Sequence, residues 1–251
     1  NILDSKRLIK LFINEKPDFV FHLAAQALVK KSYEEPVLTW KSNTFGTLNV
    51  LEALRAIQYK KKCVCVLITS DKSYKNVEIK KGYKEEDQLG GKDPYSASKA
   101  SADIAIQSYF NSFFKNKKSK IRLGIARAGN VIGGGDWSND RLIPDCVKNW
   151  SNKKTVKLRN PNSTRPWQHV MDAVNGYIVL SMKLNVSNLL NGEAFNFGPN
   201  YKKNYTVKDV VEEIKKIWSE VNYKIIKLNK QKFFESKLLK LNSTKSKKKL
   251  Y

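Results

Sequence analysis

Short apolar runs alternate along this chain with longer segments in which apolar residues return every three or four positions. The runs at 18–23, 63–68 and 121–126 lack the alternation of a half-exposed strand, so each is predicted to be a strand covered on both faces. Residues 5–15 place Leu8, Leu11 and Phe12 on one predicted helical face, which Pro17 ends. Residues 35–58 repeat Val37, Trp40, Thr44, Leu48, Leu51 and Leu54 at helical steps, with polar Asn43 in mid-helix beside Gly46. A third helix is predicted from Pro94, capped by Asp93, to about Phe114. Strands alternating with helices predict an α/β chain with a doubly wound parallel sheet of Rossmann type.

Beyond Gly129 the rhythm breaks. A loop with Gly133, Gly134 and Gly135 leads to a short predicted strand at 153–158 and a turn-rich stretch at 159–166. A helix at 169–184, a short strand at 195–197 and an amphipathic helix at 206–218, capped by Thr206, follow. Residues 243–251 begin a helical pattern with no evident partner, as if the chain were cut there.

Chemistry concentrates between residues 67 and 99. Thr69, Ser70, Asp71 and Lys72 follow the apolar run at 63–68, at the carboxyl end of the predicted strand. That edge of an open α/β sheet is where ligands bind. Tyr95 and Lys99 lie four apart and share a helical face. A lysine ammonium favours the phenolate, so Lys99 is expected to lower the Tyr95 pKa. Ser70 would orient the same substrate oxygen, completing a base, its activator and its orienter. Tyr223 and Lys227 repeat the spacing without this context and read as a solvated face.

With 251 residues, 41% of them hydrophobic, the chain can bury a sizeable core, and no apolar run approaches the roughly 18 residues of a membrane span. The net charge of +24 is carried by lysine, which reads as a solvated surface. No aromatic-rich basic motif marks nucleic-acid binding. Only seven arginines occur, and five of them (Arg122, Arg127, Arg141, Arg159 and Arg165) fall between 122 and 165, where a diphosphate site is sought. Cys63, Cys65 and Cys146 make no disulfide framework and suit a reducing, cytoplasmic setting. With only His22 and His169, no metal site is expected, and His22 reads as a core histidine rather than a catalyst.

The runs FHLAAQALV at 21–29, TSDKSYKN at 69–76, GGKDPYSASK at 90–99, RAGNVIGGGDW at 127–137, DRLIPD at 140–145, RNPNSTRPWQHV at 159–170 and FNFGP at 195–199 carry a resemblance. They resemble the extended short-chain dehydrogenase/reductase family, and within it the CDP-glucose 4,6-dehydratase group of deoxysugar synthesis. The resemblance implies NAD as cofactor, contacted by Leu23, Ala24, Ala25, Gln26, Thr69, Tyr95 and Lys99. It implies a nucleotide sugar held by Asn130, Arg141, Arg159 and Arg165. It assigns catalysis to Ser70, Asp71, Lys72, Tyr95 and Lys99, with Asn43 supporting the lysine or serving only in packing. Residues 1–130, with 166–198 returning, would form a partial NAD-binding domain, and 131–165 with 199–251 a smaller interleaved substrate domain. Helices 35–58 and 94–114 would pair two copies in a homodimer or homotetramer.

The resemblance also implies a cycle: oxidation at C4 of the sugar, loss of water across C5–C6 and return of hydride to C6. Related TDP-glucose and GDP-mannose dehydratases carry an acidic residue at the position of Lys72, which is characteristic of the CDP-glucose group. Lys72 is either the base at C5 or a partner of Asp71 or a substrate phosphate. The Gly-rich dinucleotide fingerprint is absent, which is expected of a fragment lacking its first units. Two alternatives stay open: another nucleotide-sugar dehydratase or epimerase, and a non-catalytic basic binding protein or pseudoenzyme.

Overall fold

A computed structural model describes residues 1–199, 204–218, 220–226 and 236–251. Lys227, partner of Tyr223 in the second Tyr–Lys spacing, lies outside the described residues. In chain order the first elements are α1 (Ser5–Glu15), β1 (Phe19–His22), α2 (Val29–Glu34), α3 (Pro36–Trp40), α4 (Gly46–Ile57), β2 (Cys63–Ile68), α5 (Pro94–Tyr109) and β3 (Ile121–Ala128). Then come β4 (Val131–Ile132), α6 (Leu142–Ser151), β5 (Val156–Leu158), β6 (Thr164–Arg165), β7 (Gln168–His169), α7 (Val170–Val186) and β8 (Ala194–Phe197). The chain closes with β9 (Tyr205–Thr206), α8 (Val207–Ile217), β10 (Tyr223–Ile225) and α9 (Thr244–Leu250).

Four strands form one parallel sheet in the order β1-β2-β3-β8. One face packs against α1, α4 and α5 through Phe12, Leu51, Leu54 and Ile106. The other packs against α7 and α9 through Tyr177, Leu180, Leu184 and Leu250. The doubly wound architecture expected from the strand–helix alternation is therefore present. Register brings the carboxyl ends together: His22 opposes Leu67, Ile68 opposes Ala126, and Ala128 opposes Phe197. A third apolar cluster joins α6, β5 and α8 through Cys146, Trp150, Leu158 and Val211, beside the parallel pair β5–β10.

Three expectations are corrected. The first strand is not covered on both faces: it pairs only with β2 among the described residues, and Phe19 (44% exposed) and Phe21 (39%) show on the side where α7 packs mainly on β2 and β3. On α1 the packed residues are Leu8, Ile9 and Phe12, while Leu11 turns outward. The closing helical pattern does have a partner: α9 docks on β8, with the Ser246 hydroxyl donating to the Asn196 carbonyl and Lys245 donating to that of Ala194. The long helices at 35–58 and 94–114 each contain one wider turn, at Lys41–Phe45 and Phe110–Phe114. The first holds Asn43. Such single wide turns within a helix recur at functional sites.

Candidate active site

The strand β2 ends at Ile68 and the chain turns at once into a short helical turn, Asp71–Ser73. The Ser70 side chain caps that turn by accepting from the Lys72 backbone N–H at 3.2 Å and donates to Asp71 Oδ1 at 3.1 Å. The loop that follows returns to α5 through Gly91, where a Cβ would collide with the backbone of Ser96 and Ala97. This close approach seats Asp93 as the N-cap, with a reciprocal Asp93–Ser96 capping box, and delivers Tyr95 to the strand end. The Tyr95 hydroxyl lies 3.5 Å from Ser70 Oγ, and Lys72 Nζ lies 5.9 Å from the centre of the Tyr95 ring.

Electrostatics at this point follow from burial. Burial pushes the Tyr95 phenol up to about 12, against its hydrogen bond to Ser70 and the Arg141 charge. The expectation that Lys99 lowers it is therefore corrected: the Lys99 ammonium is engaged by the Ile68 carbonyl at 3.1 Å. Burial also depresses Lys99 itself to about 8. Burial raises the Asp71 carboxyl, although Lys72, Ser70 and Arg165 oppose this. Asp71 Oδ2 is buried without a hydrogen-bond partner. His22 is also a buried group, bonded to the Thr47 hydroxyl at 3.1 Å and lowered to about 4 by burial and then by the Lys99 charge. It takes no part in lining the cavity.

A cavity of about 910 Å³ opens at the joined carboxyl ends. Its walls include Ser70, Asp71, Lys72, Tyr95 and Lys99 together with Asn130, Arg141, Arg159 and Arg165. Leu23, Ala25 and Thr69 also line it, whereas Ala24 and Gln26 do not. Gln26 faces its own turn instead, with Nε2 donating to the Thr39 hydroxyl at 2.8 Å and Oε1 accepting from the Leu28 N–H. Asn43 braces this turn against α5: it accepts from the Gln26 N–H at 2.8 Å and donates to Ser98 Oγ at 2.9 Å.

The arginine cluster divides. Arg122 donates to the Leu184 and Asn185 carbonyls, and Arg127 is buried on Asp103, so neither faces a diphosphate. Arg141 pairs with Asp136 at 3.1 Å, Arg159 with Asp140 at 3.7 Å, and Arg165 donates to the Thr164 and Ser236 carbonyls. Asp140 also binds Lys30 at 3.1 Å, so one carboxylate links α2 to the loop beyond β5 at the cavity. Sequence reasoning missed Tyr177 and Trp167, which line the cavity. Tyr177 reads in the sequence as one more apolar position of α7, with no local motif to single it out. Among the described residues no cluster of potential metal ligands exists.

The geometry has relatives. The chain is 42% identical over 223 residues to CDP-glucose 4,6-dehydratase from Salmonella typhimurium, covering 88% of this chain and 62% of that protein. It is 30% identical over 202 residues to dTDP-D-glucose 4,6-dehydratase from Dictyostelium discoideum, covering 76% and 44% respectively. This chain thus spans less than two thirds of the length of either. Its fold matches UDP-glucose 4-epimerase from Thermotoga maritima, solved with UDP-glucose, at a TM-score of 0.83 and 22% identity, over 100% of this chain and 76% of that one. It also matches the dTDP-glucose 4,6-dehydratase DesIV from Streptomyces venezuelae, solved as a double mutant with NAD bound, at 0.79 and 20% identity, over 100% and 71%. A family model described as GDP-mannose 4,6 dehydratase matches residues 1–251 in full, and the chain belongs to that family, within the extended short-chain dehydrogenase/reductases.

Proposed function

We propose that this chain carries the catalytic part of an NAD-dependent nucleotide-sugar dehydratase that converts CDP-glucose into CDP-4-keto-6-deoxyglucose. The observation that carries this reading is Asp71–Lys72 at the end of β2, beside Tyr95 and inside one cavity with three arginines. The Salmonella relative supports the choice of CDP-glucose, at 42% identity.

The residues present fit a nicotinamide cofactor: Ala25 leaves room for a ring against the β1 turn, and Lys99 is buried beside the β2 end with its ammonium at the Ile68 carbonyl. When bound, NAD supplies the acceptor for hydride from C4 of the sugar and its return to C6. Tyr95 takes the proton from the C4 hydroxyl, with Ser70 bonding the same oxygen. Because burial, even opposed by Arg141, leaves the phenol at about 12, this role needs further positive charge close by, and Lys72 Nζ stands 5.9 Å from the ring centre. Asp71, raised by burial and with Oδ2 unpartnered, is suited to protonate the departing C6 hydroxyl. Lys72 removes the C5 proton, which the C4 ketone has acidified, and its ammonium, after exchange with solvent, returns a proton to C5 when C6 is reduced. Arg141, Arg159 and Arg165 hold the diphosphate, and Asn130 the sugar.

The division into two interleaved lobes is part of this reading, with 1–130 and 166–198 as the dinucleotide lobe and 131–165 and 199–251 as the sugar lobe. The contact of α9 with β8 adds that closing helix to the first lobe. So is a dimer formed through the helices at 35–58 and 94–114, whose Val37, Phe45 and Ile104 are exposed.

Lys72→Met tests the assignment, since Met keeps the length and removes the proton acceptor. Product formation should fall by about 10²–10⁴-fold while CDP-glucose affinity stays within about threefold. A loss of affinity instead would make Lys72 a phosphate ligand, and unchanged turnover would remove it from the chemistry.

A further inference from the structure

The five proposed catalytic residues stand on two separate elements, the end of β2 and the first turns of α5. A buried network joins them. Asp103 lies one turn beyond Lys99 on α5, and its side chain is 0% exposed. Its Oδ2 accepts from the Thr69 hydroxyl at 3.0 Å and from Arg127 Nε at 2.8 Å. Its Oδ1 accepts from Arg127 Nη2 at 2.8 Å and from Gln107 at 2.7 Å. Arg127 comes from β3, is 1% exposed, and donates through Nη1 to the Tyr74 hydroxyl at 2.9 Å and the Glu85 carbonyl at 2.8 Å. Tyr74 in turn donates to Asn196 of β8 at 2.7 Å. One carboxylate therefore ties together the residue before Ser70, the helix of Tyr95 and Lys99, and two neighbouring strands.

The bonding is of a kind that fixes position. A two-pronged guanidinium–carboxylate pair has one preferred plane, and burial makes each unmade bond costly. Thr69 spends its hydroxyl on this pair, although its position on the cavity wall suggests a cofactor contact. The Tyr95–Ser70 separation of 3.5 Å is at the limit of a hydrogen bond, so a small shift of the β2 end would break it.

We propose that Thr69 is a positioning residue: its hydroxyl, anchored on the Asp103–Arg127 pair, holds Ser70, Asp71 and Lys72 at a fixed distance from Tyr95 and Lys99. This rests on the acid–base roles given to those residues above. Thr69 touches the reacting atoms only through its neighbours.

Thr69→Val removes the hydroxyl and keeps the shape, and Thr69→Ser restores the donor. Turnover of CDP-glucose by Thr69→Val should fall at least about tenfold, with KM for sugar and cofactor within about twofold, and Thr69→Ser should recover most of it. A rise in cofactor KM at unchanged kcat would overturn the proposal in favour of direct contact, and parental kinetics in both variants would overturn it outright. If Thr69→Val does not fold, Thr69→Cys, a weaker donor of similar volume, takes its place. A second readout needs neither cofactor nor turnover. Lys99 is held by the carbonyl next to Thr69, and its titration near 8 can be followed by NMR of carbon-labelled lysine, assigned with Lys99→Met. Thr69→Val should move that titration upward as the strand end loosens and water enters, and Thr69→Ser should leave it in place. An unmoved titration would overturn the positioning role even if the protein proved not to be a dehydratase. Absence of dehydratase turnover in the parent would overturn only the functional reading.

Discussion

Lys99 shows how the site is maintained at a cost to the fold. The residue is 7% exposed, its ammonium is held by the Ile68 carbonyl, and burial depresses it to about 8 from 10.5. A folded pKa below the unfolded one means that the unfolded chain holds the proton more tightly. Stability should then rise with pH between about 8 and 10.5 and be lowest below 8. At about 1.36 kcal/mol per pKa unit, the buried charge costs up to about 3 kcal/mol near neutral pH. Lys99→Met should therefore stabilise the protein by about 2 kcal/mol, allowing about 1 kcal/mol for the orphaned Ile68 carbonyl, while abolishing turnover. Denaturant melts at about pH 7 and about pH 10 check both parts, since the gain should shrink at the higher pH. A destabilised variant at neutral pH would mean that the ammonium is better solvated than its burial indicates.

At the scale of elements, much was legible because local chemistry and tertiary packing agree. The apolar run Cys63–Ile68 is a buried central strand, and the Asp93–Pro94 helix start carries the capping box that its residue types favour. Thr206 likewise caps α8. The failures occurred where an element's neighbours, rather than its own residues, decide its environment. An apolar strand reads the same at the centre of a sheet or at its edge, so the exposure of Phe19, Phe21 and Leu23 could not be foreseen. The polar side chain of Gln26 sits in a turn expected to face a cofactor, but Asn43, 17 residues away, draws its backbone into another contact. The split of the arginines was hidden too, because what buries Arg127 is Asp103 from a different element. The edge position of β1 has a measurable consequence. In the 251-residue chain by itself, where β1 pairs only with β2 among the described residues, its amides should exchange faster than those of β2 and β3, and hydrogen exchange followed by mass spectrometry reads this directly. Equal protection of β1 and β2 would contradict the edge assignment.

Over the whole molecule, the proposed nucleotide-sugar substrate accounts for where the cations gather. The excess of +24 is spread over the surface, whereas the cavity gathers Lys30, Lys72, Arg141, Arg159 and Arg165 on walls from both parts of the fold. Such a field raises the encounter rate with a nucleotide diphosphate without selecting the sugar. Selection lies in the chemistry at the end of β2, where an acid and a lysine stand beside the tyrosine. An epimerase needs only the tyrosine chemistry at C4, while a dehydratase must also remove the C5 proton and the C6 hydroxyl. Among the described residues no helix is long and apolar enough to cross a membrane. The central claim is that hydride leaves C4 and returns to C6 of the same sugar while Asp71 and Lys72 expel water between those events. The most direct measurement is mass and NMR analysis of the product formed from CDP-glucose carrying deuterium at C4. The deuterium should appear in the new C6 methyl group of a 4-keto-6-deoxy product, with a solvent-derived hydrogen at C5. Deuterium retained at C4 of an inverted sugar, or a 6-deoxy product without the label, would contradict it.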